Sequence, residues 1–153
     1  MFRNYSEPNA SSPHSLARFS VPRGGAFMLF PGEACSNPKN PESGVVLNPG
    51  LNLGAAGLPG QQRGMTGAAV PGGDVTTEVR LASGAPVTVR YLTGWGKSGN
   101  NYTCRTEQSM QAEAGAHYEF IGVTDMENSR CGFVAFKLMP GPLLVPLQPA
   151  KAC

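Results

Sequence analysis

Val75-Thr76-Thr77-Glu78-Val79-Arg80-Leu81, the turn Ser83-Gly84-Ala85-Pro86, and Val87-Thr88-Val89-Arg90-Tyr91 decide the fold. Successive side chains of a strand point to opposite faces, so each run carries one apolar face and one polar face. That alternation sets Val79, Leu81, Val87 and Val89 inward and Glu78, Arg80, Thr88 and Arg90 outward. Downstream, residues 102–110, 117–124 and 131–139 read as three more strands, separated by turn signals at Ala114-Gly115 and Glu127-Asn128-Ser129, with Tyr118, Phe120, Phe133 and Ala135 inward. Residues 143–147 add an edge strand. Upstream, residues 16–21 and 26–30 flank Pro22-Arg23-Gly24-Gly25, a break of hairpin length, and are expected to pair as neighbours. Short strands without helical periodicity specify an all-β protein of two packed antiparallel sheets.

The stretches between strands are unequal. Residues 94–100 read as a Gly-rich loop carrying Trp95 and Lys97. Residues 31–74 form a long loop dense in Gly, Pro and Asn, relieved by the apolar pieces 45–47 and 51–53; such a loop is either functional or packed down by those side chains. Residues 1–15 are polar after Tyr5 and read as a tether that does not dock on its own core, so their deletion is expected to leave the sandwich folded. The domain proper is 16–153. Ordering of the tether and the long loop is therefore expected to come from a neighbouring chain.

Composition agrees. In 153 residues there are 20 glycines and 14 prolines, and charged residues are 14%, which suits turn-rich β structure. Twelve basic and ten acidic residues, dispersed without a run, offer no footprint for nucleic acid. No apolar stretch approaches the roughly 20 residues of a membrane-spanning helix. The four cysteines, Cys35, Cys104, Cys131 and Cys153, lack the spacing of a zinc site and read as disulfides of an oxidising compartment, periplasmic or secreted. Three connectivities are open; Cys104 with Cys131 is favoured because they flank well-patterned strands, leaving Cys35 for Cys153, and the alternative leaves Cys153 free at a frayed end.

No catalytic constellation, cofactor motif or metal set stands out. His117 beside Glu119 or Glu107 lacks a nucleophile motif. Asp74, Asp125, Glu127 and Asn128 lack calcium-loop spacing. The glycines at 54, 57, 60, 64 and 67 lack the Lys-Ser/Thr ending of a phosphate loop. Trp95 and Lys97 are the candidate binding residues, with Trp95 as a cap on the open end of the core as the alternative. Ala114-Gly115-Ala116-His117-Tyr118-Glu119 looks like the tyrosine corner of immunoglobulin-like sandwiches, which makes the expected fold an immunoglobulin-like β-sandwich with a long Gly/Pro-rich loop.

Taken in order, Pro31-Gly32-Glu33-Ala34-Cys35, Arg63-Gly64-Met65, the run from Glu78 to Val89, Cys104, the Ala114 to Glu119 step and Cys131 resemble small envelope lipoproteins of Gram-negative bacteria. The likeness covers most of 16–139 and consists of turn and strand patterns. It implies periplasmic or outer-membrane localisation, a lipidated cysteine upstream of the sequence shown as the sole link to a membrane, and residues 1–15 as the tether. The expected role is a non-enzymatic structural or interaction subunit, with other envelope proteins as partners. The alternative is a free-standing binding module for a glycan, peptide or small ligand.

Overall fold

The computed structural model describes residues 2–21, 24–65, 75–138 and 142–153. The expected break at Pro22 and Arg23, and Gly67, Asp74 and Met139, lie outside these. The strands are β1 (His14–Val21), β2 (Gly25–Pro31), β3 (Gly44–Leu47), β4 (Val75–Ala82), β5 (Pro86–Lys97), β6 (Asn100–Gln111), β7 (His117–Asp125), β8 (Arg130–Lys137), β9 (Leu143–Leu144) and β10 (Gln148–Pro149). They build two five-stranded sheets, ordered β4-β1-β7-β8-β9 and β10-β6-β5-β2-β3. The protein is an all-β sandwich.

Two expectations are corrected here. β1 and β2 do not pair: β1 lies between β4 and β7, and β2 between β5 and β3 in the opposite sheet. Every residue of β2 is buried, so its sequence has no wet face with which to align on a hairpin partner, and the chain crosses the core instead. The sheets are also not wholly antiparallel, because β1 runs parallel to β7, from Leu16 opposite His117 to Ser20 opposite Ile121. That pairing follows from the same crossing: the chain visits the second sheet before β7 returns beside β1, as parallel neighbours require a long connection.

The core joins the sheets through aromatic rings. Phe19 stacks on Phe120 at 4.7 Å, and Phe27 meets Phe19 at 5.0 Å and Phe133 at 5.6 Å edge to face. Tyr91 spans the gap from β5 and bonds Thr124 Oγ1 at 2.9 Å. A Cβ at Gly122 would collide with the Tyr91 ring, so glycine is required beneath it. All eight residues expected inward are buried. Cys104 on β6 and Cys131 on β8 form a disulfide between the sheets, Cα to Cα 6.0 Å, and Cys35 with Cys153 forms a second at 5.4 Å. The corner at Tyr118 closes as anticipated: the Glu113 N–H donates to the phenol oxygen at 3.0 Å.

The face expected to be wet is largely covered. Thr88 is fully buried, its hydroxyl donating to Glu33 O, and Glu78 is buried against Arg18. Arg80 and Arg90 are half-buried, the first by Glu7 and Pro8 O, the second over the ring of Phe30. For Glu78, Arg80 and Thr88 the cover comes from the sequence read as tether and loop. Residues 45–47 form β3 on the edge of β2, and Leu58 donates from its N–H to Val46 O at 2.8 Å. Thus the long loop is packed down by its apolar pieces.

Residues 2–15 are not a free tether, because they bond to the chain's own strands. Val45 N–H donates to Arg3 O at 2.8 Å and Tyr5 N–H to Val45 O at 2.9 Å, beside a parallel bridge between Asn4 and Val45. Tyr5 is 4% exposed, lies in the core and donates its hydroxyl to Arg80 O at 2.8 Å. The segment runs from β3 on one sheet to β4 on the other and straps the side of the sandwich shut. His14 and Ser15 already belong to β1. Composition misjudged this stretch because one buried ring with satisfied main-chain groups suffices to hold it. Tyr5→Ala is expected to lower stability by about 3–5 kcal/mol, as for other aromatic truncations in a core, and Tyr5→Phe by about 1 kcal/mol for the lost hydrogen bond. Urea unfolding of both variants checks the order; equal stability of Tyr5→Ala and wild type would show that the strap carries no load.

Candidate functional site

Trp95 and Lys97 do not lie in a loop. β5 and β6 continue as one hairpin through the pairs Gly94–Thr103, Trp95–Tyr102, Gly96–Asn101 and Lys97–Asn100. The reversal is the two-residue turn Ser98-Gly99, with φ of 54° and 80°, the primed turn that a tight hairpin demands. Gly94 and Gly96 disguised this as a loop; the signal available was the Ser98-Gly99 pair between two alternating runs. Trp95 and Tyr102 are cross-strand neighbours with rings 5.8 Å apart and 15° from parallel.

Register places this pair. Val87, Val89 and Tyr91 face the core, so Trp95 four residues beyond Tyr91 points to the same side, as does Tyr102 two residues before Cys104. On the opposite sheet Cys131 pairs with Thr124, and past them β7 and β8 offer one further pair, Asp125–Arg130, before turning. The β5–β6 hairpin therefore overhangs the opposite sheet, and its aromatic pair lies beyond the disulfide that closes that end. Both residues are half-buried, and Trp95 Nε1 is shielded from solvent without an acceptor among the described residues.

Most other candidates are absorbed into structure, while His117 Nδ1 is buried without a hydrogen-bond partner among the described residues. His14 Nδ1 meets Ser12 O at 2.7 Å. His117 and Glu119 share the outer face of β7, where the Glu119 carboxylate sits 3.7 Å from the Arg18 guanidinium, and Glu107 lies in the other sheet, paired with Arg90 and accepting from Ser36 at 2.6 Å. Asp125 accepts from the N–H and Nδ2 of Asn128 and holds the β7–β8 turn. Glu33, Cys35 and Cys153 gather three donor atoms, but the two sulfurs are joined in a disulfide, which leaves the Glu33 carboxylate.

Sequence reading missed a second surface. At the edge of the first sheet β9 exposes Leu143 and Leu144, 59% and 67% accessible, above a cleft of about 310 Å³ bordered by Met110, Tyr118, Lys137 and Pro146. Val145 N–H donates to Ala135 O at 2.8 Å, so alternate residues 142, 144 and 146 direct their main chain outward. Pro142 and Pro146 have no N–H, so this edge is poor in donors for another strand but rich in apolar surface. The signal in the sequence was Pro142-Leu143-Leu144-Val145-Pro146 itself.

Three carboxyls, of the buried Glu78 and the half-buried Glu7 and Glu107, lie below the ordinary glutamate value of 4.5. Burial by itself pushes each up; hydrogen bonds outweigh it. Glu78 accepts from the N–H groups of Arg63 and Met65 and from Arg18, Glu7 from Arg63 and the Arg80 N–H, and Glu107 from Ser36 and Arg90. Burial, with the Glu7 and Glu42 charges adding to it, pushes the Tyr5 phenol well above its usual range.

No family model, curated protein or solved structure matches the chain.

A carboxyl whose folded value is depressed stabilises the fold above its unfolded value and loses that contribution as pH falls through the folded value. Unfolding free energy is therefore expected to be flat from about pH 7 to about pH 5 and to fall below about pH 4.5, with a shallower acid limb in Glu78→Gln. Denaturant titrations across that range check this, and an acid limb unchanged by Glu78→Gln would remove Glu78 from the account.

Proposed function

We propose that the chain is a non-enzymatic interaction module of a bacterial cell-envelope assembly, working in the periplasm or at the outer membrane. Two disulfides fit an oxidising extracellular or periplasmic environment, and the glutamates with depressed values are engaged in cross-links between chain segments rather than facing a cavity together. The immunoglobulin-like character belongs to the same proposal and is supported by the Tyr118 corner and the inter-sheet disulfide.

The observation that carries the reading is the β9 edge. Exposed large apolar side chains are usual singly, but adjacent exposed leucines on a proline-blunted edge, bordering a cleft that mixes Met110, Tyr118 and Pro146 with the Lys137–Glu113 ion pair, form a patch suited to the partly apolar surface of a larger protein partner. Because strand addition is disfavoured there, contact runs through the side chains. The double substitution Leu143→Glu with Leu144→Glu is expected to abolish recovery of envelope partners in cross-linked pull-downs while leaving the melting temperature within about 2 °C, since exposed substitutions change stability by roughly 0.5 kcal/mol or less. Partner recovery identical to wild type would sink the proposal.

A further inference from the structure

Trp95 and Tyr102 form an aromatic surface that the core does not use. They occupy the core-facing side of the β5–β6 hairpin beyond its closing disulfide, where the opposite sheet has only the pair Asp125–Arg130 to set against them. At 5.8 Å and 15° the rings are near-parallel and offset, which leaves each with face area that the other does not cover. The tip around them is built of exposed Ser98, Asn100 and Asn101, neutral side chains that donate and accept hydrogen bonds.

We propose that this hairpin is a saccharide-binding site, with Trp95 and Tyr102 as the platform for a pyranose ring of a glycan. A pyranose presents an apolar face of C–H groups, which an aromatic ring covers, and a rim of hydroxyls, which need donors and acceptors within reach; the hairpin has both. The site stands apart from the β9 edge and does not depend on the protein partner proposed there.

Trp95 is the sole tryptophan of the chain, so intrinsic fluorescence reads the site directly. The oxidised full chain is titrated with chitotetraose, cellotetraose and maltotetraose. At least one is expected to change the emission saturably, with a dissociation constant of about 0.1–1 mM. Tyr102→Ala is expected to weaken that probe by about tenfold or more, equivalent to 1.4 kcal/mol. Trp95→Ala is expected to abolish binding by calorimetry, with the Leu143→Glu, Leu144→Glu variant binding as wild type does. Emission unmoved by all three probes up to about 10 mM would overturn the proposal without touching the β9 reading. So would a probe whose affinity is the same for wild type and Tyr102→Ala, which assigns its signal to another surface.

Discussion

Arg18 sits in the middle strand of the trio β4-β1-β7 with its side chain 4% exposed, and it cannot shed its charge. Its register partners are Glu78 on one side and Glu119 on the other, and both carboxylates reach its guanidinium. A slip of either neighbour by one residue would turn that carboxylate to the opposite face and leave a buried charge short of its partner, at a cost of about 3–5 kcal/mol. The triad therefore fixes the register of both pairings, including the parallel one, which has no turn to set it. From that register follow the inward placement of Tyr118 and Phe120 and the position of Gly122 beneath Tyr91. The same Glu78 carboxylate accepts from Arg63 and Met65, so the chain that covers the sheet is tied to the group that aligns it.

What was legible in the sequence is what a period of two can carry. From Val75 to Tyr91, alternation assigned the inward face correctly, and the same logic held for Tyr118, Phe120, Phe133 and Ala135. The outward face was legible in direction but not in environment. Polar side chains on a strand declare which way they point, not whether another segment of chain lies over them, and Glu78 and Thr88 are buried beneath residues far away in sequence. Cys104 with Cys131 followed from the strands they flank, and Cys35 with Cys153 was the pair that remained. β2, apolar throughout, had no phase to read, and so its sheet could not be told from its neighbour in sequence.

The errors in the terminal strap and the hairpin share a cause. Averages over a window weigh many residues equally, whereas Tyr5 gives the strap its ring in the core and the two-residue turn at Ser98-Gly99 converts a Gly-rich stretch into a protruding hairpin. Single residues of that kind act through geometry that composition does not encode.

The edges of the sandwich are managed unequally, and the inequality bears on function. β3 is covered by the Asn4 bridge and Leu58, and β4 by Gln61 O, which accepts from the Glu78 N–H at 2.8 Å; these two edges are sealed by main-chain bonds from the chain itself, while the third, β10, is only two residues long, ends on Pro149 and lies near the Cys35–Cys153 disulfide. β9 is treated otherwise: its outward positions include two prolines, which deter strand pairing, while Leu143 and Leu144 stay exposed. A protein that seals two edges and keeps the other two short and proline-bearing, yet leaves leucines on β9, disfavours indiscriminate strand pairing and keeps a surface that side-chain contact can recognise. The Trp95–Tyr102 overhang is separated from that edge by the closing disulfide and by β8, so the two surfaces can be occupied together. On the proposed reading of both surfaces, that arrangement suits a module that joins a protein to a second, chemically different ligand.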